Sequence, residues 1–251
     1  MAKEVVKKDE ANVPANVPAI DFSKIDMKEL VEENMAGEAL SASVMSKVST
    51  PLGGGTVFNF THAGKEIETK TLDVVIVYNR LTRALFEAGD SGSNIPLCRS
   101  DDMMHGFGEP GGKCLQCPKA AWVKQDGRNI KPPCGVRRFC YMLFEEIDSI
   151  FPMVLGVPSM SLSNAKTYFG TLVGMGKSAS QVVTRITATP KTSGNNKFSV
   201  LNFEFLKDVD NPALFKEYRS TIMQKIIDSI SVENYYNSME DQDPMQAGGL
   251  G

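Results

Sequence analysis

The chain has 251 residues, a hydrophobic content of 42% and a formal net charge of −3. This composition is that of a globular protein and excludes a wholly disordered chain, while the small negative charge does not favour nucleic acid as a partner. No apolar run reaches the length of about 18 residues that a transmembrane helix needs, and the first residues lack the apolar stretch of a secretory signal. The sequence therefore predicts a cytoplasmic protein with reduced thiols.

The first 52 residues are predicted to form an arm and a helical segment. Residues 1–20 contain a repeated Ala-Asn-Val-Pro, and because Val-Pro steps disfavour helix, they predict a flexible arm. In the segment 21–52, Asp26 is the expected N-cap of a short helix with Glu29 as its capping-box partner. A second helix is predicted over 36–50, ending at Pro51.

Residues 53–232 are predicted to form one domain that is mainly β with α, an α+β fold. Alternating and β-branched residues predict strands over 56–60, 71–78, 82–86, 137–145 and 153–157 and a hairpin of two strands over 181–188 and 197–205. Helices are predicted over 159–174 and 212–231. Short strands with one helix before the final hairpin are compatible with an OB-fold-like Greek-key barrel.

A segment rich in glycine and proline, residues 89–135, interrupts this domain. It carries four of the five cysteines, Cys98, Cys114, Cys117 and Cys134. A Cys-x2-Cys pair lets two thiolates reach one ion from a tight turn, and two distant cysteines complete a tetrahedron. The spacing predicts one structural Zn²⁺ per chain that orders the insertion. Four thiolates leave no open metal position, so an enzyme is not predicted.

Other interpretations of the thiols are unligated core cysteines or a redox pair. The polar, glycine-rich surroundings disfavour the first, and the absence of a strand-to-helix context disfavours the second. Cys140 lies in an apolar strand and is interpreted as a core thiol. His105 is an alternative fourth ligand, although a lone histidine in such a loop is more often exposed.

Basic and aromatic residues suggest a surface for single-stranded nucleic acid. Between Pro110 and Phe139 there are seven basic residues against one acidic residue, and the only tryptophan, Trp122, lies among them. Bases stack on aromatic rings while phosphates contact Lys and Arg. The candidate binding residues are Tyr78, Arg80, Trp122, Lys124, Arg137, Arg138, Tyr141 and Arg185. Alternatively, Trp122 packs over the zinc knuckle, Tyr141 belongs to the core, and the cations form a solvated face.

Two further features complete the pattern. Gly176-Lys177-Ser178 resembles the end of a phosphate-binding P-loop, but Thr171 stands where that motif needs glycine, and a predicted helix precedes it. It is interpreted as a glycine-rich helix stop. Residues 233–251 contain four acidic and no basic residues, which predicts an acidic disordered tail. Such a tail docks protein partners, competes with nucleic acid for a basic groove, or only confers solubility.

The cysteine segment resembles that of phage-encoded single-stranded-DNA-binding proteins. The resemblance rests on Cys98-Arg-Ser-Asp-Asp, Cys114-Leu-Gln-Cys117-Pro118, Trp122 and Lys131-Pro-Pro-Cys134, and more weakly on Pro158–Ser161, Ala165–Tyr168, Gln181–Arg185 and Phe198–Phe205. It covers roughly residues 55–235 and implies an OB-type barrel with a structural zinc. It also implies a protein that coats single-stranded DNA during phage replication or recombination in an infected bacterial host.

The leading hypothesis is therefore a non-enzymatic, zinc-stabilised single-stranded-DNA-binding protein with little sequence preference and no membrane association. The alternative is a zinc-ribbon interaction module in a phage transcription or recombination complex. A metal-dependent nuclease is a third class, with Asp101-Asp102 as the only nearby pair of carboxylates.

Overall fold

The structure, a computed structural model, describes residues 6–7, 20–36, 44–87 and 96–229. The predicted acidic tail and most of the predicted arm lie outside these residues. The described chain is α+β and consists mostly of strands, and none of its helices has the length and apolar character needed to cross a bilayer. The strands are β1 (Val6–Lys7), β2 (Lys47–Val48), β3 (Phe58–His62), β4 (Lys65–Thr69), β5 (Thr71–Leu85), β6 (Cys98–Ser100), β7 (His105–Gly108), β8 (Gly112–Lys113), β9 (Val123–Gln125), β10 (Arg128–Ile130), β11 (Gly135–Leu143), β12 (Met153–Val157), β13 (Val182–Ser193) and β14 (Asn196–Asp208). The helices are α1 (Met27–Met35), α2 (Leu162–Gly174), α3 (Pro212–Tyr218) and α4 (Gln224–Ser229).

The central strands pair in the order β14–β13–β5–β11–β12, and every pair is antiparallel. Helix α2 connects β12 to β13. The described residues contain no pairing between β12 and β14, so they do not form a closed barrel. Residues 47–55 bridge this seam instead, because β2 pairs in parallel with β12 and the Ser199 hydroxyl donates to the Gly55 carbonyl at 2.8 Å. The Ser161 hydroxyl likewise accepts the N–H of Leu201 at 2.8 Å.

Two hydrophobic clusters pack against this sheet. The first joins β3, β5, β14 and α2 through residues such as Phe58, Leu72 and Leu201, each at most 1% exposed. The second lies under the C-terminal helices, where Tyr218 packs edge-on against Phe22 at 5.2 Å between ring centres. Full burial of a large apolar side chain stabilises a fold by about 1.5–3 kcal/mol. The buried side chains of these two clusters therefore stabilise the packing of the strands and helices around the sheet.

The helical predictions are confirmed in part. The Asp26 carboxylate caps α1 by accepting the N–H groups of Lys28 at 2.9 Å and Glu29 at 3.3 Å, as its position before an amphipathic run predicts. The predicted second helix differs: residues 37–43 lie outside the described residues, and Lys47–Val48 is a strand. The predicted C-terminal helix buries Tyr218, Ile222 and Ile226, which lie four residues apart, although a wider π-helical turn, Arg219–Met223, separates α3 from α4.

Strand β5 is longer than the sequence predicts. The two strands expected at 71–78 and 82–86 form one continuous strand of 15 residues, with an irregularity in its pairing to β11 between Tyr141 and Met142. Within this strand, Asn79 accepts a hydrogen bond from Arg138 of β11, and Arg80 pairs with Asp101 just after β6. The hairpin β13–β14 is also longer, and its Pro190 lies beyond the residues that pair with β5, where a missing N–H is tolerated.

Candidate metal centre and nucleic-acid interface

The insertion brings its four cysteines to one end. Cys98 lies on β6 and pairs with Leu85 of β5 and Gly108 of β7. Cys114 begins a 3₁₀ turn, and its own N–H donates to the Met104 carbonyl at 2.8 Å. The N–H of Cys117 then binds the carbonyl of Cys114 at 3.2 Å. These bonds form the tight turn that the Cys-x2-Cys spacing predicts.

Cys134 returns to the same place from the other end of the insertion. Its N–H binds the Lys119 carbonyl at 3.0 Å, and its side chain shares a small buried cluster with Leu85 and Cys98. Close approach is also visible at Gly106, where a Cβ atom would lie 2.9 Å from the sulfur of Cys98. A larger residue at this position would push the thiol away.

The electrostatics connect all four thiols. Burial raises the pKa of Cys98; a hydrogen bond from Gly111 opposes this rise, and the neighbouring thiols of Cys114 and Cys117 add to it. Burial also raises the pKa of Cys134. The Arg83 guanidinium lowers this pKa, whereas the neighbouring thiols of Cys98 and Cys114 raise it further. A divalent cation would reverse this repulsion, because it stabilises thiolates.

The donor set suits zinc, but the observed arrangement is looser than a bound site. Within the described ranges, no group of three or more His, Cys, Asp or Glu side chains is arranged to hold a metal ion. His105 is exposed, as predicted, and its ring nitrogen Nδ1 lies 2.7 Å from the Asp102 carboxylate. Burial acts to raise the pKa of Asp102, but hydrogen bonds led by those from His105 lower it well below its usual range.

A cleft of ≈ 400 Å³ lies over the seam between β12 and β14. We name it the seam cleft; its walls come from residues 50–53, the end of β5, the start of β11, the β12–α2 junction and the start of β14. Lys131 and Arg137 are its cations, Phe86 and Phe198 its aromatic residues, and no acidic side chain lines it. The amine of Lys131 lies 3.5 Å from the Ser159 hydroxyl on the opposite wall.

An exposed β-ribbon stands beside the seam cleft. Strands β9 and β10 pair only with each other among the described residues, and all positions from 121 to 131 are exposed. Trp122 precedes β9 with 65% of its surface exposed, which is unlike a ring packed over the cysteines. Lys124 lies on β9, and Lys131 follows β10 directly into the cleft. The ribbon thus continues the basic and aromatic surface of the cleft.

Three other predicted residues form a largely buried cluster. Tyr78 and Tyr141 lie opposite each other on β5 and β11 with ring centres 5.6 Å apart. The guanidinium of Arg80 lies 5.9 Å from the Tyr141 ring and pairs with Asp101 at 3.2 Å. Only 10% of the Arg80 side chain and 3% of Tyr141 are exposed. This cluster joins β5 to the insertion and offers little surface to a ligand.

Arg138 and Arg185 lie elsewhere. Arg138 follows Arg137 on β11, but its guanidinium is 4.8 Å from the Phe169 ring of α2 and donates to Asn79. Arg185 on β13 makes two hydrogen bonds of 2.8 and 2.7 Å to the Asp73 carboxylate. The structure therefore places Arg137 in the seam cleft and Trp122 and Lys124 on the ribbon that leads into it through Lys131, and it separates the other predicted residues from this surface.

The DNA-binding candidates that the sequence suggested did not include Phe86, Lys131 or Phe198. The basic window contains Lys131, and that charge pattern was the signal available for it. Phe86 and Phe198 are 112 positions apart by number and line one cleft only because the sheet curls toward its own edge. No local pattern distinguishes them from core phenylalanines.

No family model matches the chain, and no curated protein or solved structure matches it significantly.

Proposed function

We propose that this protein binds single-stranded DNA without catalysis, in the seam cleft and along the adjacent β-ribbon. The observation that carries the proposal is a cleft with two cations, two phenylalanines and no acidic lining residue, continued by an exposed tryptophan. Single-strand binders combine these elements, since phosphates contact cations and each base offers a face for stacking. The overall charge of −3 is compatible with this local excess of positive charge.

The strand order supports an OB-type arrangement for the domain. In an OB fold, strands 2 and 3 and the loops between strands 1 and 2 and between strands 4 and 5 bind oligonucleotides. With β5, β11, β12, β13 and β14 taken as strands 1 to 5, α2 lies between strands 3 and 4, and the cysteine insertion lies between strands 1 and 2. The seam cleft is bounded by these strands and by that insertion.

A structural zinc belongs to the proposal. Cys98, Cys114, Cys117 and Cys134 would hold the ion, supported by their four-thiol chemistry, their convergence and their electrostatic coupling. Bound zinc would neutralise thiolates and crosslink the two ends of the insertion. Since Cys134 is three residues from both Lys131 and Arg137, this crosslink would orient the cleft cations.

A fluorescence titration of the full chain with oligo-dT tests the proposal, because Trp122 is the only tryptophan. We expect quenching that saturates at low salt and weakens steeply as salt is added. The substitution K131Q should weaken binding, whereas K166Q, an exposed lysine of α2 outside the cleft, should not. Absence of salt-sensitive binding by the wild-type protein at low ionic strength would reject the proposal.

The alternative function, a zinc-ribbon interaction module, is favoured by one observation. Leu115 in the cysteine knuckle is 90% exposed, and the cross-strand pair Val123 and Ile130 is 54% and 46% exposed. Exposed apolar residues on a ribbon suit a protein partner. A gel-shift competition between single- and double-stranded DNA separates the two functions. Preference for the single strand favours the single-strand-binding function, and equal binding of both forms favours the interaction module.

A further inference from the structure

A second basic cleft, of ≈ 250 Å³, lies at the C-terminal end of α2. We name it the α2 cleft; its cations are Arg138, Lys177 and Arg219, and its polar groups include Asn79, Ser178 and Ser180. No Asp or Glu side chain lines it. Three separate parts of the chain supply these cations, namely β11, the turn after α2 and the start of the π-helical turn.

Arg138 is held in place with a donor to spare. Its guanidinium lies 4.8 Å from the ring centre of Phe169, and one nitrogen donates to the side-chain oxygen of Asn79. Its Nε atom is buried and has no hydrogen-bond partner. The Nε atoms of Arg80 and Arg83 are buried in the same way outside this cleft. Among the described residues no carboxylate forms an ion pair with Arg138, so its charge is available to an anion in the cleft.

The turn after α2 positions the second cation. Gly176 has a φ of +70°, which ends the helix, and the N–H of Lys177 binds the Leu172 carbonyl at 2.9 Å. The Lys177 amine pairs with Asp208 and lies 5.1 Å from the ring centre of Phe205. Asp208 therefore balances this amine, and the uncompensated charge of the cleft comes from the two arginines.

Arg219 completes the cleft from the C-terminal helices. It is exposed at the first position of the π-helical turn, and no carboxylate in the described part of the chain forms an ion pair with it. Wide helical turns of this kind often occur at functional sites. The hydroxyls of Ser178 and Ser180 lie 3.0 Å apart, and the Ser178 hydroxyl donates to Gln181 at 3.2 Å, so both are already bonded within the turn beside the cleft.

We propose that the α2 cleft binds the phosphate group of a small phosphate-bearing ligand. Guanidinium donors match phosphate oxygens, and the volume is below the ~300–1,000 Å³ typical of sites for larger ligands. The site differs from a P-loop because side chains, not a glycine-rich run of backbone N–H groups, supply the donors. It is distinct from the seam cleft and does not depend on single-strand binding.

Calorimetric titration with inorganic phosphate, deoxyadenosine monophosphate and deoxyadenosine tests this site. We expect both phosphate compounds to bind the full chain and deoxyadenosine not to bind. Tighter binding of the nucleotide would identify a mononucleotide as the ligand, and equal binding would identify phosphate itself. The substitution R219Q should weaken binding by about tenfold, equivalent to about 1.4 kcal/mol, since a charge-assisted contact with the phosphate is lost.

The matched control is K216Q, an exposed lysine on α3 outside the cleft, which should leave binding unchanged. Because Arg219 is exposed, R219Q should keep the melting temperature of the wild type, which separates loss of the site from loss of the fold. Absence of phosphate binding, or equal binding by R219Q, would overturn the proposal. So would a loss of oligo-dT affinity in R219Q as large as that in R137Q, because the cleft would then belong to the DNA path.

Discussion

Arg137 and Arg138 are consecutive on β11, yet Arg137 lines the seam cleft and Arg138 lines the α2 cleft. Successive side chains of a strand point to opposite faces of the sheet, and β11 is an internal strand between β5 and β12. The charged pair that appears as one basic patch in the sequence therefore serves two separate surfaces.

This separation predicts different consequences for R137Q and R138Q. Arg137 is exposed, so R137Q should weaken oligo-dT binding about tenfold and reduce the slope of log K against log salt by about 0.7, with stability changed by less than about 0.5 kcal/mol. R138Q loses contacts with Phe169 and Asn79 and should destabilise the fold by about 1–3 kcal/mol while oligo-dT affinity is kept. Salt-dependent titrations measure the DNA affinity of each variant, and urea unfolding measures its free energy of unfolding. Equal effects of the two substitutions on DNA affinity would contradict the assignment.

Trp122 is expected to act as a stacking surface. W122A should weaken oligo-dT binding by about 1–3 kcal/mol, the contribution of stacking on one aromatic residue, and W122F should restore most of it. Fluorescence anisotropy of a labelled oligonucleotide measures these affinities without the intrinsic tryptophan signal. L115A is the control, because Leu115 is also an exposed apolar side chain but lies in the cysteine knuckle and not on the ribbon. If W122A binds like the wild type, the ribbon is not part of the DNA surface.

Metal content should follow the four clustered cysteines and not the fifth. We expect one zinc ion per chain in the purified protein, its loss in C117S and its retention in C140S, since Cys140 is buried in the first hydrophobic cluster. Chelation should lower the melting temperature and weaken oligo-dT binding together, because the insertion orders Lys131 and Arg137. Elemental analysis and thermal unfolding provide the readouts. Metal-free protein with full DNA affinity would remove zinc from the proposal.

Cys140 should make stability depend on alkaline pH. Burial raises the pKa of its thiol from 9.0 to about 12. Because the folded-state pKa is higher than the unfolded one, the folded protein retains the proton longer, and this contribution is complete below pH 9 and lost as pH rises toward 12. Urea unfolding of wild type and C140A between these pH values measures it. The decline with pH should be shallower in C140A, and parallel curves would show that the thiol does not titrate as expected.

Local signals in the sequence were sufficient for the N-cap of α1, for the C-terminal helix and for the cysteine turn. Asp26 caps α1 through bonds to residues two and three positions away, and the stripe through Tyr218, Ile222 and Ile226 follows from helical spacing alone. The Cys114–Cys117 knuckle is likewise set by neighbouring backbone bonds. These features depend on contacts within a few residues, so a sequence pattern records them.

Tertiary structure alone decided which charges are available to a ligand. Arg80 and Arg185 have the same local appearance as Arg137, but distant carboxylates, Asp101 and Asp73, bind them. The seam cleft forms where the sheet curls without closing, and this curl brings Phe86 and Phe198 into one lining. Periodicity reports the face of a strand that a side chain occupies, whereas its partners depend on contacts between residues far apart in the chain.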